Sequence, residues 1–542
     1  MQPFDTLAQM VAQQDPGATC MTAPAGLPLS YGAVAALIGR TRNSLSTLGI
    51  GRGDRVAIVL PNSPEMACAF VAIACTCTAA PLNMAYRPDE FEFYLSDLRA
   101  RALVVADGYD GPALAAAVAL GLTVLRLKAH PEQGAGSFTL SGNGIGGPVP
   151  PERAGAAHTD DIALILHTSG TTSRPKIVPL SQRNVCASAR NIRDTLRLTP
   201  EDRQLHVMPL FHIHGLIAGV LAPMAAGSQI FCTPGFNALR FFSWMKECKP
   251  TWYTAVPTMH QTILARAAGN LEVIAANPLR FIRSSSSSMP TQVIAELERV
   301  FGAPLIESYG MTEAAHQMAS SPLPPGRRVP GSVGIAAGPE VAIMGPTGML
   351  LGPGETGEIV IRGDNVTSGY ESNPLANQEA FTNGWFRTGD QGVLDRDAYL
   401  TLTGRLKEII NRGGEKVSPL EVDAVLMDHP AVAQVVTFAV PHGRLGEDVA
   451  AAVVLHEGQE LSEGALRTFA ASRLADYKVP RTVLFMLEIP KGATGKLQRI
   501  GLAAKLGLGP QAGAPDALGP AADGKRSIKS SNSATGKPGA HK

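Results

Sequence analysis

Short apolar runs alternate with helix-forming segments in the first third of the chain, and this alternation restricts the fold more than any other feature. The runs Arg55–Leu60, Leu103–Val105 and Leu122–Leu125 have the length and composition of buried strands. Between the first two lies Glu65–Cys77, which is long enough for a helix. Strands that alternate with helices favour a mainly parallel sheet covered by helices. The sequence therefore predicts an α/β fold built on parallel sheets.

The length and charge of the chain limit its domain count and its partners. At 542 residues it exceeds what one hydrophobic core usually holds, so at least two domains are expected. A content of 45% apolar and 17% charged residues is typical of a soluble globular enzyme. A net charge of +1 gives no overall field that would attract nucleic acid or an anionic membrane. The most apolar early segment, Met66–Ala80, is too short to cross a bilayer, so we expect no nucleic-acid partner and no membrane insertion.

The cysteines and the chain ends indicate a cytoplasmic protein. None of the seven cysteines forms a Cys-x-x-Cys pair, so we expect reduced, mostly buried thiols rather than disulfides or a zinc site. The segment Met1–Asp15 carries acidic and polar residues and lacks the apolar region of a signal peptide. The sequence ends in Ala-His-Lys rather than in the peroxisomal signal Ser-Lys-Leu.

A loop of small hydroxyl residues and glycine follows the apolar run Ile162–Leu166, and its composition suits a polyphosphate. Gly170 lets the backbone approach a ligand, and successive backbone N–H groups can form a concave anion site. Lys176 adds a positive charge, and hydroxyl side chains add donors, among them Thr168, Ser169, Thr171 and Thr172. The alternative is a surface loop rich in serine and threonine. The loop is not a Walker A motif, because that pattern occurs nowhere in the chain.

A second glycine-rich segment, Gly142–Gly147, matches the Gly-x-Gly-x-x-Gly pattern of dinucleotide sites. That pattern binds dinucleotides only between a strand and a helix. We expect no strand before the segment, and Pro148 and Pro150 follow it where a helix should begin. We therefore interpret it as an ordinary loop.

Five motifs follow one another in the order found in one enzyme superfamily. They are the hydroxyl-rich loop with its Pro-Lys end, Glu307–Glu313, Gly384–Asp390, Thr403–Glu408 and Lys491–Arg499. Together they resemble the acyl-adenylate-forming superfamily, which includes acyl-CoA synthetases, firefly-type luciferases and adenylation domains of peptide synthetases. The resemblance implies a large N-terminal acyl-adenylate-forming domain at 1–406 and a small, mobile α+β C-terminal domain at 407–505. Residues 506–542 lack aromatic side chains and are rich in Gly, Ala, Pro, Ser and Lys, which predicts a disordered tail.

The resemblance also implies how MgATP is bound. Tyr309 would stack on adenine, Asp390 would bind both ribose hydroxyls, and Arg405 would add a second ribose contact. Thr312 would contact the α-phosphate, and Glu313 would hold Mg²⁺, a cation that takes carboxylate and phosphate oxygens. The remaining ATP-binding residues would be Thr168, Ser169, Gly170, Thr171, Thr172 and Lys176. The alternatives are a solvated glutamate at 313 and a surface strand with ion pairs around Arg405.

The reaction that the resemblance implies has two steps. A substrate carboxylate attacks the α-phosphate of MgATP and gives an acyl-adenylate and pyrophosphate. The thiol of CoA then displaces AMP. Lys496 would reach the reacting carboxylate and the α-phosphate, with Thr168, Glu313 and His212 as the other catalytic residues. The alternative for Lys496 is a solvated lysine in a glycine-rich loop.

Three further residues belong to the second step. Gly413 and Gly414 would line the path of the CoA pantetheine group once the small domain has rotated. Lys407 would be the hinge of that rotation, and His212 matches the position that gates the thiol tunnel. ATP, Mg²⁺, CoA and a small carboxylate are therefore the expected ligands, and the protein could be a monomer or a dimer.

The candidate acyl pocket is unusually polar. A fatty-acid pocket should be apolar, whereas this one would be lined by His214, Ser284–Ser288 and His316. The second anionic end of a short dicarboxylate needs such donors, because hydrogen bonds to a charged group contribute about 1.5–3 kcal/mol each. The wording MPLFHIHGL, RFIRS and MTEAAH is similar to that of the oxalyl-CoA synthetases of plants and fungi, which implies that Ser286 and His316 hold oxalate.

Other functions stay open at the level of sequence. A medium-chain or malonate-type acyl-CoA synthetase would use the same motifs, with the serines bordering adenine or forming a flexible linker. An adenylation module that loads a carrier protein and a luciferase-like oxygenase are alternatives of a different class. A pure binding protein is disfavoured, because Lys496 and Glu313 are both present.

Overall fold

The structure is a computed structural model that describes residues 3–142, 150–168, 175–490 and 497–509. Six predicted site residues or neighbours lie outside the described residues: Ser169, Gly170, Thr171, Thr172, Ser173 and Lys496. The predicted tail from residue 510 onwards also lies outside them.

Strands and helices alternate along most of the chain. The strands are β1 Thr19–Thr22, β2 Leu29–Ser30, β3 Arg55–Val59, β4 Thr78–Pro81, β5 Ala102–Ala106, β6 Thr123–Ala129, β7 Phe138–Gly142, β8 Ile162–His167, β9 Ile177–Ser181, β10 Arg203–His206, β11 Gln229–Cys232, β12 Trp252–Ala255, β13 Phe281–Ser285, β14 Leu305–Met311, β15 His316–Ser320, β16 Ile335–Ala336, β17 Glu340–Met344, β18 Thr356–Arg362, β19 Phe381–Thr382, β20 Trp385–Leu394, β21 Leu400–Arg405, β22 Ile410–Arg412, β23 Glu415–Val417, β24 Val432–His442, β25 Gly446–Leu455 and β26 Thr482–Phe485.

The α-helices are α1 Leu7–Ala12, α2 Tyr31–Thr47, α3 Pro64–Ala74, α4 Pro88–Asp97, α5 Pro112–Ala119, α6 Gln182–Thr195, α7 Ala222–Ala225, α8 Phe241–Cys248, α9 Pro257–Leu264, α10 Leu271–Ala276, α11 Thr291–Phe301, α12 Pro374–Ala380, α13 Pro419–Met427, α14 Glu463–Ala471 and α15 Leu502–Lys505. A π-helix spans His214–Leu221. Short 3-10 turns lie at Pro131–Gln133, Ala267–Asn270, Thr312–Ala314 and Asp476–Lys478.

A seven-stranded sheet confirms the alternation predicted from sequence. Its order is β7-β6-β5-β3-β4-β8-β9, and the five central strands run parallel. Helix α3 begins where Ser63 accepts a hydrogen bond from the Met66 N–H and Pro64 fills the first helical position. One expectation was wrong: β7 leads directly into the Gly142–Gly147 segment as an antiparallel edge strand, because its alternating side chains pair with β6.

A nine-stranded sheet carries or borders the predicted acyl-site residues together with Tyr309, Thr312 and Glu313. Its order is β16-β15-β14-β13-β12-β10-β11-β1-β2, and β12, β13 and β14 are parallel neighbours in its middle. The carboxyl ends of parallel strands meet at one edge, where open α/β sheets bind their ligands. Ser284 and Ser285 belong to β13 and are buried, so the first part of the serine run is not a flexible linker.

Two smaller sheets complete the fold. In the first, β17, β18, β20, β19 and β21 form an antiparallel sheet in which Asp390 lies opposite Arg405. In the second, β22–β26 pack with α13 and α14 around their own apolar cluster, which includes Ile410, Val422 and Leu466. The predicted combination of a large α/β part and a small α+β part is thus confirmed, whereas its boundary at 406/407 stays a prediction.

Three more sequence features can be placed. All seven cysteines are buried and without a disulfide partner. Leu506 and Leu508, which fall in the predicted tail, pack against an apolar cluster with Phe438 and Leu502. Within the described residues, no helix has the length and apolar character needed to span a bilayer.

Candidate active site

Strands β8 and β9, which flank the hydroxyl-rich loop in the sequence, pair as an antiparallel hairpin. The Thr168 N–H donates to the Lys176 carbonyl at 2.9 Å, and the Lys176 N–H donates to Thr168 Oγ1 at 3.3 Å. These two bonds fix the ends of the loop at the tip of the hairpin. Lys176 Nζ lies 4.3 Å from the centroid of the Tyr370 ring, a cation–π distance.

Glu313 lies beside this hairpin, in the 3-10 turn Thr312–Ala314. Its side chain is 6% exposed, and its Oε1 accepts a hydrogen bond from the Tyr370 hydroxyl at 2.8 Å. Burial raises the pKa of Glu313, while the bond from Tyr370 and the charges of Arg405 and Lys176 oppose the rise. Tyr370 thus contacts two predicted residues, although the sequence analysis did not select it.

A second cluster joins the three residues predicted to bind adenosine. The Tyr309 hydroxyl donates to Asp390 Oδ2 at 2.6 Å, and Arg405 Nε donates to Asp390 Oδ1 at 2.8 Å. Tyr309 and Asp390 are buried, whereas half of the Arg405 side chain is exposed. Burial, followed by the neighbouring Asp390 charge, raises the pKa of Tyr309, and that carboxylate also raises the pKa of Arg405. The carboxylate presents both oxygens as acceptors, which a vicinal diol can use.

The three predicted acyl-site residues converge at the carboxyl edge of the nine-stranded sheet. His214 Nδ1 lies 3.1 Å from Ser286 Oγ, and the rings of His214 and His316 stack with centroids 4.9 Å apart. Both histidines are 2% exposed. Ser286 has φ +77° and His316 has φ +99°. Residues other than glycine adopt this left-handed region of backbone conformation at a cost of about 1–3 kcal/mol.

Arg283 completes this acyl-site cluster and was missed by sequence reasoning. It lies on β13, and its Nη2 is 3.2 Å from His316 Nε2 while its Nη1 is 3.4 Å from His214 Nε2. An arginine one residue before a serine run suggests a surface position. The only signal that could have located it was its place within the apolar strand Phe281–Ser285.

The remaining predicted residues lie around these clusters. His212 precedes the π-helix, and its ring centroid is 4.9 Å from that of Phe211. Phe211 also lines a cavity of about 210 Å³ together with Leu60, Asn62 and Met66.

In the small sheet, Gly413 and Gly414 form the turn between β22 and β23 and have φ +61° and +99°. Lys407 lies in the connection between β21 and β22, next to Glu408. Arg499 contacts Glu408 at 3.4 Å and also pairs with Asp423 of α13. Arg499, which belongs to the last motif, therefore pairs with the neighbour of the predicted hinge residue.

Comparisons with known proteins agree with this geometry. A family model described as AMP-binding enzyme matches residues 8–371, and one described as AMP-binding enzyme C-terminal domain matches residues 421–496. The oxalate–CoA ligase of Arabidopsis thaliana is 44% identical over 498 residues, which are 91% of this chain and 96% of that protein. The oxalate–CoA ligase of Saccharomyces cerevisiae is 40% identical over 473 residues, 83% of this chain and 86% of that protein. The crystal structure of ATP-bound MatB from Rhodopseudomonas palustris has a TM-score of 0.82 at 29% identity and covers 91% of this chain and 97% of its own.

Proposed function

Since this chain belongs to the AMP-binding enzyme family and to its acid–CoA ligases, we propose that its acid is oxalate. The enzyme would convert oxalate, ATP and CoA into oxalyl-CoA, AMP and pyrophosphate. The observation that carries this proposal is the buried acyl-site cluster, in which polar side chains contact one another through a hydrogen bond and stacked imidazole rings. Its relatives at 40% and 44% identity, both oxalate–CoA ligases, support it.

The acyl-site cluster is suited to a short diacid and unsuited to an alkyl chain. His214, Ser286 and His316 converge within hydrogen-bonding or stacking distance, and two of them are almost fully buried. An alkyl chain in this position would displace water from these polar groups without offering them a hydrogen-bond acceptor, at a cost of about 1–3 kcal/mol for each group that had bonded to that water. A second carboxylate would instead accept their hydrogen bonds.

For ATP, we assign adenosine to the cluster of Tyr309, Asp390 and Arg405, and the phosphates to the hairpin loop. The paired acceptor oxygens of Asp390 support the ribose assignment. Thr168 and Lys176 lie at the two ends of this loop. Thr312 and residues 169–172 of the loop belong to the same assignment.

The donor set also fits one Mg²⁺ ion. In nucleotide sites this ion takes one or two carboxylates, phosphate oxygens and water. Glu313 offers one buried carboxylate, and Tyr370 fixes only its Oε1. When bound, Mg²⁺ would neutralise charge on the phosphates.

The chain's own residues then position two reactions at one site. A carboxylate oxygen attacks the α-phosphorus, the bond to pyrophosphate breaks, and the acid becomes the acyl group of an adenylate. The CoA sulfur next attacks the acyl carbon, and AMP leaves with the bonding electrons. We assign to Lys176 and Lys496 the stabilisation of the charge that develops in the first step, and such electrostatic stabilisation would be the main contribution of the protein.

We assign the second step to a rotation of residues 407–505 relative to 1–406 about Lys407. In the rotated state, Gly413 and Gly414 would line the pantetheine path, with His212 on the thiol side. The positive φ of both glycines supports a turn that a chain-like ligand can approach closely. The reduced state of all described cysteines supports a cytoplasmic enzyme.

ATP-dependent pyrophosphate release across oxalate, malonate, succinate and octanoate tests the proposal. We expect oxalate to give the highest kcat/KM and to yield oxalyl-CoA when CoA is added, as identified by mass spectrometry. His316→Ala should abolish turnover of oxalate, whereas the matched control His158→Ala, at an exposed position, should not change it. Turnover of octanoate without turnover of oxalate would refute the proposal.

A further inference from the structure

Arg283 is a fully buried cation at the centre of the nine-stranded sheet. Its side chain is 0% exposed, and charged side chains are almost never fully buried unless they are paired. Its Nη2 donates to Ser308 Oγ at 2.7 Å and to Gln317 Oε1 at 3.2 Å. Its Nη1 also contacts the Thr254 hydroxyl, and the two remaining contacts are those with the His214 and His316 imidazoles described above. Neutral groups therefore hold the guanidinium in one orientation.

The charge of Arg283 has no counterion in the part of the chain that the structure describes. No carboxylate lies among its contacts, and its Nε has no hydrogen-bond partner there. The undescribed hairpin-loop residues 169–174 contain no acidic residue that could supply one. Burial lowers the pKa of Arg283 to about 9, which leaves the guanidinium charged at neutral pH. An unbalanced buried charge destabilises a fold, so its presence calls for a functional explanation.

Arg283 also decides which nitrogen of each histidine carries the proton. A guanidinium can only donate, so the Nε2 atoms of His214 and His316 accept from it. His214 Nε2 also lies 2.7 Å from the Thr254 hydroxyl, which can donate to it. Both rings are therefore neutral with the proton on Nδ1, and His214 Nδ1–H donates to Ser286 Oγ at 3.1 Å.

We propose that Arg283 is the specificity-determining residue of the acyl site, where its unbalanced charge selects acids that keep a second negative charge after the first carboxylate has reacted. This inference rests on the proposed function and extends it. A diacid that has formed an adenylate retains one free carboxylate, which balances the single charge of Arg283. In addition, Arg283 is a positioning residue, because it orients His214 and His316 as Nδ1–H donors.

A comparison of oxalate with its monoamide, oxamate, distinguishes the effect of the substrate's second charge from the effect of its shape. The two molecules have nearly the same size and each has a carboxylate that can be adenylated, but oxamate lacks the second negative charge. The measured quantity is the ratio of kcat/KM for oxalate to that for oxamate, followed by AMP release with CoA present. In the wild-type enzyme we expect a ratio of about 100 or more, since losing the partner of a buried charge has effects of that size.

Three substitutions at this position test the charge. Arg283→Met and Arg283→Gln remove it, and the ratio should fall to within about tenfold of unity by the same reasoning. Arg283→Lys keeps the charge but loses the planar pair of donors, so kcat should fall while most of the ratio remains. A residue with only a structural role would lower kcat/KM for both acids equally and leave the ratio unchanged. That result, in an enzyme that turns over oxalate, would overturn the inference and leave the proposed function intact.

Thermal unfolding gives a second readout that does not depend on turnover. Removal of an unbalanced charge should leave the Tm of Arg283→Met equal to or above that of the wild type. Oxalate should raise the Tm of the wild type and of Arg283→Lys, but not that of the two neutral variants. An oxalate-induced rise of equal size in Arg283→Met would contradict the inference. If the wild type uses another diacid, the same ratio against that diacid's monoamide decides, whereas a wild type that uses only monocarboxylates refutes the proposed function itself.

Discussion

At the scale of single residues, the site is assembled by side chains that each contact two functional neighbours. Tyr370 places its ring against Lys176 and its hydroxyl on Glu313. Asp390 accepts from Tyr309 and from Arg405 with its two oxygens. Such shared contacts hold the charged groups of the two clusters that we assign to ATP in fixed positions, and preorganisation of this kind lowers the reorganisation needed during a reaction.

His260 contacts the backbone of Arg283 next to the acyl-site cluster, and its titration makes the stability of the fold depend on pH. Its Nε2–H donates to the Arg283 carbonyl at 3.2 Å, and the Tyr253 hydroxyl lies 3.2 Å from its Nδ1. Burial lowers its pKa from 6.5 to about 4. As the pH falls, the His260 imidazole takes up a proton in the unfolded chain before it does so in the folded chain. The stability that neutral His260 contributes is therefore fully present above pH 6.5 and is lost as the pH falls towards 4, by about 1.4 kcal/mol per pH unit.

We predict that His260→Gln is less stable than the wild type at pH 7.5 and that this difference shrinks as the pH falls to 5. Glutamine retains a donor near the position of Nε2 but does not titrate. Tm measured across this pH range by differential scanning fluorimetry checks the prediction. For His158→Gln, a substitution at an exposed position, the difference from the wild type should stay constant. A difference that stays constant in His260→Gln as well would contradict it.

Residue types in motifs could be predicted, whereas long-range partners could not. The order of the motifs led to Tyr309, Glu313 and Asp390 by resemblance, and the structure brings each of them into a buried cluster. Arg283 and Tyr370 were missed, because their contacts with His316 and Glu313 join residues 33 and 57 positions apart. Nothing in the local sequence around either residue indicates those partners.

At the scale of elements, the close approach of β14 and β15 positions His316 and Glu313. A Cβ atom added at Gly310 would lie 1.6 Å from the His316 carbonyl oxygen, far inside any real contact. Glycine is therefore required at this position for the strand to turn back over its neighbour. The turn between the two strands contains Glu313 and ends at His316.

We predict that Gly310→Ala separates β14 from β15 and lowers both stability and activity. Forcing a methyl group into this contact should cost about 3 kcal/mol or more, which corresponds to a fall in Tm of about 5 °C or more. Gly269→Ala is the matched control, because nothing lies within 4 Å of its added Cβ. Thermal unfolding and the rate of pyrophosphate release measure the two effects. An unchanged Tm in Gly310→Ala would show that the strands can move apart freely.

Elements with a strong local pattern were predicted well, and those shaped by packing were not. The helix predicted at Glu65–Cys77 is found at Pro64–Ala74 in the structure. The π-helix His214–Leu221 was not predicted, and all eight of its residues are buried. Gly219 in that helix leaves room for the ring of His206, and a Cβ there would lie 2.4 Å from the ring.

At the scale of the whole molecule, the small sheet has apolar clusters of its own, around Ile410 and around Phe438, and one short connection joins it to the large part. Lys407 lies in that connection, between Arg405, which pairs with Asp390, and Glu408, which contacts Arg499. Across the boundary, Gln292 of α11 donates to Asp428 at 2.9 Å. The proposed rotation about this connection would break this contact and leave the apolar clusters on either side intact.

We predict that Lys407→Pro separates the two steps of the reaction. Proline fixes φ near −65°, so it restricts the backbone rotation that the change of state requires. Acyl-adenylate formation, measured as pyrophosphate–ATP exchange, should be affected much less than formation of acyl-CoA from that adenylate. Lys407→Ala removes the charge but keeps the backbone free, and it should preserve both steps. Full overall activity in Lys407→Pro would place the hinge elsewhere.

The unbalanced guanidinium of Arg283 also links the lifetime of the enzyme to its substrate supply. A ligand that binds only the folded chain lowers the unfolded fraction, and proteases in cells degrade that fraction continuously. A bound diacid would neutralise the Arg283 charge, which destabilises the folded chain, and would so stabilise that chain. Intracellular abundance of the enzyme should consequently rise when its acid accumulates, without any change in transcription.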